Sequence, residues 1–280
     1  MLNDVLIYAK ERSPLAFTLV LSGVLFSSGF SSLDFPFLLF LQGWSTLFLL
    51  LFMIRLSDDI CDIPIDTITH PQRVLCSGAV SLTNINRFRI LAVVLMLALN
   101  IANPTALLLV LTSILALGIF FWLKPKLPTL VHVTLLNFSL VVYPVYCGLL
   151  LEGAITSFHL GMGLFIFLGA LAHDLSHSLL DTRTTAPETL NPINRINQTF
   201  LAWLSLVLYL VSGAFGLSLI YNHWTGWGFT GCLALTIGIM FYLEARLIHH
   251  PSAETAKPFY IFGFLFFLLP IVGHVVDLAI

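Results

Sequence analysis

Nine long apolar runs, separated by polar connections, constrain this 280-residue chain more than any other feature of its sequence. The hydrocarbon core of a bilayer is about 30 Å thick and needs about 20 apolar residues per helix. The sequence therefore predicts an all-α polytopic membrane protein, a single nine-helix bundle over residues 1–280. The predicted spans are about 15–31, 35–54, 88–102, 105–123, 129–150, 157–180, 199–221, 225–248 and 258–279. The hydrophobic content of 58% agrees, because roughly half is usual for soluble domains.

The twelve Lys and Arg residues all fall on one side of the predicted bundle. With nine spans they lie in the N-terminus, in the connections after spans two, four, six and eight, or in the span ends beside those connections, and the opposite connections carry none. The positive-inside rule then predicts that the N-terminus and the two long connections, 55–87 and 181–198, are cytoplasmic. Residues 1–13 predict a short interfacial helix. The net charge of −2 leaves no basic surface of the kind that binds nucleic acid.

Four of the fourteen acidic residues are crowded into nine positions directly after the second apolar run. On a helix Asp59, Asp62 and Asp66 are spaced i, i+3 and i+7, and Asp58 precedes Asp62 by four residues, so the carboxylates share a face. Such crowding needs a metal or a basic group, because like charges repel. Mg²⁺ suits these hard oxygen ligands. The alternative is a solvated acidic loop, and Pro64 predicts a bend or a restarted helix before Asp66.

A second acidic constellation occurs at the end of the predicted sixth span. Asp174, His177 and Asp181 repeat the spacing i, i+3 and i+7. Ionisable residues at membrane depth are costly, so they usually face an interior cavity and a partner there. A different interpretation pairs His173 with His177, at i and i+4, as ligands of a transition metal.

If the two acidic faces converge, they suit a diphosphate held by bridging Mg²⁺ ions, with basic side chains on the remaining phosphate charge. Loss of pyrophosphate from an allylic carbon would leave a carbocation. The faces of the 24 Phe, 7 Tyr and 5 Trp residues could stabilise that cation. Arg73 and Lys124 are the best candidates to bind the diphosphate. Weaker candidates are Lys126, Arg183 and Arg55. The alternative is that these charges only determine the membrane topology.

The first acidic segment resembles the NDxxDxxxD motif of the UbiA superfamily of intramembrane prenyltransferases, with Asp58 where Asn is usual. The run that follows it resembles that family's PxRPLxSG sequence: His70-Pro71-Gln72-Arg73-Val74-Leu75-Cys76-Ser77-Gly78. The second segment is similar to the family's DxxDxxxD motif, but His177 replaces the central aspartate, and a neutral imidazole is a poorer Mg²⁺ ligand than a carboxylate. The sequence after Asp181 also lacks the Gly and basic pattern of the family.

The resemblance implies nine transmembrane helices with a cytoplasmic active-site mouth. It implies Mg²⁺-dependent transfer of a prenyl group from a prenyl diphosphate to an aromatic or lipidic acceptor within the bilayer. The catalytic and metal-binding residues that it implies are Asp59, Asp62, Asp66, Asp174 and Asp181, and those that bind the diphosphate are Arg73, Lys124, Asp58 and His177.

Two other functions stay open. A terpene cyclase of the same family would quench the carbocation with the substrate's own double bonds. A cation-coupled transporter, or a non-catalytic binding protein, belongs to a different class and would be expected to carry helices broken near mid-membrane. Because both acidic clusters lie at span ends beside long connections, the sequence favours catalysis.

Overall fold

A computed structural model of the protein describes residues 1–178 and 197–280, and every regular element in that part of the chain is helical. The α-helices, in chain order, are α1 (Leu2–Arg12), α2 (Leu15–Ser27), α3 (Phe37–Thr69), α4 (Leu82–Asn100), α5 (Pro104–Leu123), α6 (Thr129–Phe138), α7 (Val142–Leu151), α8 (Ser157–Ser178), α9 (Gln198–Tyr221), α10 (Trp227–His249), α11 (Ala253–Ala256) and α12 (Phe259–Ala279). Single 3₁₀ turns follow α5 (Lys124–Lys126) and α6 (Ser139–Val141). The predicted all-α class is confirmed.

Within the described ranges, eight segments are long and apolar enough to cross a membrane. They are Phe37–Thr69, Leu82–Asn100, Pro104–Lys126, Thr129–Leu151, Ser157–Ser178, Gln198–Tyr221, Trp227–His249 and Ala253–Ala279. The first predicted span is instead the 13-residue helix α2, about 20 Å long at 1.5 Å per residue. The predicted count of nine spans is therefore not confirmed.

Helix α3 differs most from its prediction. The expected span of 35–54, followed by a long connection, is one 33-residue helix that continues through Pro64 to Thr69. A proline inside a helix removes one N–H donor and crowds a carbonyl of the preceding turn. Side chains on both sides of Pro64 are held by cations, Lys124 before it and Arg73 after it. These tertiary contacts favour the helix over the break that the local sequence predicts.

The chain divides into two compact units. One comprises Met1–Phe26, Phe35–Leu127 and Leu149–Gly153; the other comprises Ser27–Asp34, Pro128–Gly148 and the described residues of Ala154–Ile280. In the first unit, α1 lies on α4 and on the part of α3 that precedes the aspartates. The Tyr8 ring packs edge-on against Phe52, which packs edge-on against Phe88.

Asp4 connects α1 to the start of α4. Its carboxylate accepts hydrogen bonds from the Asn84 side chain at 3.0 Å and from the Ser81 backbone at 3.1 Å. These bonds, the one from Asn84 first, hold the pKa of Asp4 below its usual value. The predicted N-terminal helix is thus docked on its own unit by polar as well as apolar contacts.

The second unit is built on α8, which packs against α9 and α12, while α10 packs against both of those helices. The Ser212 hydroxyl of α9 donates to the Phe165 carbonyl of α8 at 2.7 Å. Gly263 of α12 lies so close to α8 that an added Cβ would be 2.2 Å from His173 Nδ1. Glycine at this position therefore allows α12 to approach the last turns of α8, which carry Asp174 and His177.

Candidate active site

Asp58 and Asp62 converge on a single cation. The Lys124 ammonium group lies 2.6 Å from an oxygen of Asp58 and 2.7 Å from an oxygen of Asp62. Lys124 stands in the 3₁₀ turn after α5, and only 9% of its side chain is exposed. Because the two aspartates are four residues apart on α3, their carboxylates are one helical turn apart and can share one positive charge.

Asp59 points to a different set of partners. Its Oδ2 accepts hydrogen bonds from the Tyr8 hydroxyl at 2.8 Å and Arg12 Nε at 3.0 Å, and its Oδ1 accepts one from Arg12 Nη2 at 2.8 Å. Arg55 Nη2 lies 3.3 Å from the same Oδ1. Asp59 is buried, with 3% of its surface exposed. The paired Arg12 contact is the bidentate geometry that makes guanidinium–carboxylate pairs strong.

Tyr8 and Arg12 both keep their protons beside Asp59. Burial, and then the negative charge of Asp59, raises the pKa of the Tyr8 phenol, so this hydroxyl remains a donor. Burial disfavours the charged form of Arg12, but the hydrogen bonds and charge of Asp59 outweigh it and raise the pKa of the guanidinium. Asp59 is thus surrounded by donors at every ordinary pH.

Asp66 is held by the connection that follows α3. Arg73 forms an ion pair with its Oδ2, and His70 Nδ1 lies 3.8 Å from its Oδ1. The connection turns back through a hydrogen bond from Arg73 N to His70 O, at 3.0 Å, which holds Arg73 near the end of α3. The backbone of Gly78 has a φ of +76°, a left-handed conformation that favours glycine.

The first motif is therefore electrically balanced within its own unit. Its four carboxylates contact four basic side chains, Arg12, Arg55, Arg73 and Lys124. Among residues 1–178 and 197–280, no three His, Cys, Asp or Glu side chains are grouped as in a metal site. The pair Asp58 and Asp62 still fits Mg²⁺, which commonly takes one or two carboxylates and completes its shell with water and phosphate.

Asp174 and His177 of the second constellation lie in the last turns of α8. The Asn137 side chain donates a 2.7 Å hydrogen bond to Asp174 Oδ2. The imidazole of His177 lies 5.3 Å from the Tyr260 ring, and that of His173 lies 4.3 Å from the Phe264 ring, measured between ring centroids. Asp181 and Arg183 lie outside the described residues. That the two acidic clusters form one site stays a prediction.

The sequence did not single out Tyr8, Arg12 or Asn137. Tyr8 and Arg12 are four residues apart and share a face of α1, but their partner Asp59 is about fifty positions away in the sequence. The amphipathic pattern of residues 1–13 predicts an interfacial helix, but it does not identify the residue that this helix contacts. Of the weaker basic candidates, Arg55 reaches Asp59, while Lys126 lies over the Trp122 ring, 4.9 Å from its centroid.

Comparison with solved structures finds the same fold. A UbiA homologue from Aeropyrum pernix K1, in its apo form, matches with a TM-score of 0.77 and 17% identity over 94% of this chain and 98% of its own. A UbiA homologue from Archaeoglobus fulgidus bound to DMAPP and Mg²⁺ matches with a TM-score of 0.60 and 15% identity, over 98% and 99%. A structure described as digeranylgeranylglyceryl phosphate synthase in membranes matches with a TM-score of 0.66 and 18% identity, over 98% of this chain and 99% of its own.

At these identities the likeness shows the shared fold alone. No curated protein matches the sequence. The model of the UbiA prenyltransferase family, however, matches residues 15–269, which include both acidic segments and all but the ends of the chain. The chain therefore belongs to the UbiA prenyltransferase family.

Proposed function

We propose that this protein transfers a prenyl group from a prenyl diphosphate to a hydrophobic or aromatic acceptor within the membrane, with Mg²⁺ as cofactor. The observation that carries the proposal is the convergence of Asp58 and Asp62 on one cation at the end of a membrane helix, in a chain of this family. The Archaeoglobus fulgidus homologues bound to DMAPP or GPP with Mg²⁺ support the choice of substrate and metal.

The first metal would be held by Asp58 and Asp62, with Asp66 as a further oxygen ligand on the same helix face. We propose that Asp59, although the sequence motif suggests it as a ligand, instead holds Arg12, Tyr8 and Arg55, because these donors already contact both of its oxygens. The bound metal would neutralise charge that develops on the departing diphosphate.

Lys124 and Arg73 would orient the diphosphate. Both side chains already contact the aspartates, Lys124 at Asp62 and Arg73 at Asp66, so each can reach a phosphate oxygen beside the metal. Cationic donors fixed around a leaving group stabilise its developing charge without reorganisation. The bond between the allylic carbon and the diphosphate oxygen breaks and its electron pair leaves with pyrophosphate; the acceptor then bonds to that carbon and loses a proton.

We propose that Asp174, Asp181 and His177 belong to the same site and hold a second Mg²⁺ or its phosphate ligands. Asn137 supports this role for Asp174, because its hydrogen bond fixes the orientation of that carboxylate. We also propose a cytoplasmic orientation for the N-terminus and this site, which the distribution of Lys and Arg supports.

The test is pyrophosphate release from geranyl, farnesyl and geranylgeranyl diphosphates by the purified protein in lipid, with Mg²⁺ or with EDTA. Asp62→Asn and Asp174→Asn should each lower the rate roughly a hundredfold, since each removes a charge that supports the transition state. Asp34→Asn, on an exposed connection, is the matched control and should retain full activity.

The organic product separates the remaining alternatives. A prenylated acceptor, formed when membrane extract is added, supports the transferase. A cyclic hydrocarbon formed without any acceptor would replace the transferase by a cyclase. Absence of cleavage with every chain length, in the presence of Mg²⁺ and extract, would overturn the enzymatic proposal and direct attention to cation binding.

A further inference from the structure

A groove of about 450 Å³ lies among α3, α4 and α5, within the first unit. Its walls are apolar, with Leu50 and Ile54 on α3, Ile90 and Val94 on α4, and Leu117 and Phe121 on α5. Its lining includes none of the four aspartates of α3 and none of the basic residues that contact them. The groove therefore shares no lining residue with the proposed diphosphate site, although Ser57 in its wall directly precedes Asp58.

The groove has a polar end and an apolar end. Along α4 its lining runs from Asn86 to Val94, about 12 Å at 1.5 Å per residue. Asn86 and Arg89 stand in the first turns of this membrane-crossing helix, while the lining residues farther along it, Ile90, Val93 and Val94, are aliphatic. Ile90 and Val94 are 66% and 55% exposed, so the α4 wall is accessible from outside the unit.

Arg89 supplies an unmatched positive charge at the polar end. Its Nη1 donates to Asn86 Oδ1 at 3.1 Å, and its Nε is buried without a hydrogen-bond partner. In the part of the chain that the structure describes, no carboxylate forms an ion pair with it, whereas Arg12, Arg73 and Lys124 all have one. An unpaired charge in a membrane helix is costly and indicates an anionic partner.

Two properties identify the chemistry of that partner. A guanidinium group binds phosphate through parallel hydrogen bonds, which would satisfy the buried Nε. The apolar walls below it require a hydrocarbon chain, which a free phosphate ion lacks. Anionic phospholipids provide both, and they are concentrated at the membrane surface where juxtamembrane basic residues lie.

We propose that this groove binds an anionic phospholipid of the surrounding membrane, with its phosphate on Arg89 and one acyl chain along α3 between α4 and α5. The prenyl diphosphate is a less suitable occupant, because the groove lacks the carboxylates that would hold its metal. The lipid would pack between α4, α5 and the helix that carries the aspartates, and would stabilise their packing.

Gly118 provides a direct way to block the groove. It lines the groove on α5, and an added Cβ would meet no atom within 4 Å. Gly118→Leu therefore adds a side chain to the groove wall at a position where its Cβ meets no neighbouring atom. Leucine also favours a helix more than glycine does. Gly238→Leu on α10 is the matched control, since its Cβ also meets nothing.

The experiment measures binding of fluorescently labelled phosphatidylglycerol to the full-length protein in detergent, and retention of lipid after extraction from vesicles of phosphatidylcholine with or without phosphatidylglycerol. Arg89→Gln should weaken phosphatidylglycerol binding roughly tenfold, as expected for loss of hydrogen bonds to a charged group. Arg87 is an exposed residue of the same helix, and Arg87→Gln should leave phosphatidylglycerol binding unchanged. Gly118→Leu should weaken binding while Gly238→Leu leaves it unchanged.

Thermal unfolding and gel filtration establish that each variant is folded. If Arg89→Gln fails to fold, Gly118→Leu and Arg89→Lys are used for the test. Lysine keeps the positive charge but lacks the parallel hydrogen-bond donors of the guanidinium group, so Arg89→Lys should bind phosphatidylglycerol with intermediate affinity. Equal binding by the Arg87 and Arg89 variants would overturn the proposal. The proposal would also be overturned if geranyl diphosphate displaced the lipid from the wild type but not from Asp62→Asn. The groove would then belong to the substrate site.

Discussion

At the scale of single residues, Lys124 acts as a built-in counter-ion for Asp58 and Asp62. Lys124→Gln should lower the free energy of unfolding of the metal-free protein by about 2 kcal/mol, because two neighbouring carboxylates lose their charged donor. Added Mg²⁺ should then stabilise the variant more than the wild type, since it replaces the missing charge. Thermal unfolding in EDTA and in Mg²⁺ measures both effects.

Lys126→Gln is the matched control for Lys124, because it removes a charge from the same 3₁₀ turn but only a contact with the Trp122 ring. It should respond to Mg²⁺ as the wild type does. An equal response of the two variants would show that Lys124 and Mg²⁺ do not neutralise the same two carboxylates.

Asp59 and Asp62 should differ in function although both belong to the motif. Asp62→Asn should raise the Mg²⁺ concentration needed for half-maximal activity. Asp59→Asn should leave that concentration nearly unchanged but expose α1 to proteolysis, because it weakens the contacts with Tyr8 and Arg12. The measurements are Mg²⁺ titrations of pyrophosphate release and limited digestion. A comparable shift in Mg²⁺ requirement for both variants would restore Asp59 as a metal ligand.

At the scale of elements, the sequence predicted which carboxylates share a face but not the helix that carries them. The i, i+4 spacing of Asp58 and Asp62 places both on Lys124, as helical geometry requires. The continuation past Pro64 was not predictable from the local sequence, because it depends on tertiary contacts such as that of Asp62 with Lys124. The contacts of Asp59 with α1 were not predictable either. Local spacing indicates which residues share a helix face, but it does not identify the distant residues that contact this face.

Pro64 should reduce the stability of α3. Pro64→Ala restores a backbone donor and removes the crowding of the preceding turn, so we expect the free energy of unfolding to rise by about 1 to 3 kcal/mol. Pro36→Ala is the control, since Pro36 precedes the first helical residue, where a missing N–H has no helical partner to lose. Thermal unfolding that shows Pro64→Ala to be destabilising would mean that the aspartate-bearing helix depends on a bend at this proline.

At the scale of the whole molecule, the apolar runs were sufficient to predict an all-helical membrane protein, and the structure and the family confirm it. The number of spans was not predictable from apolar length alone. The run of 15–31 is long enough to cross, but its helix ends at Ser27. Composition measures how apolar a segment is, whereas the extent of its helix depends on the turns that end it.

The topology can be tested with two cysteine substitutions in a protein whose native cysteines are replaced. Ser77 and Glu152 are both exposed, in connections that the charge distribution assigns to opposite faces. In intact cells a membrane-impermeant maleimide should label Glu152→Cys, and it should label Ser77→Cys only after lysis. Labelling of both from outside, or the reverse pattern, would contradict the cytoplasmic orientation.

The unbroken helix α3 also limits how the length of this chain can vary. One residue inserted between Phe37 and Asp58 would rotate the whole acidic face by about 100° relative to the preceding part of the helix. Asp58 and Asp59 would lose Lys124 and Arg12 together, because these partners lie on other elements, although no contacting side chain had been altered. A substitution in this helix therefore acts on one contact, whereas an insertion or deletion before Asp58 acts on several contacts at once.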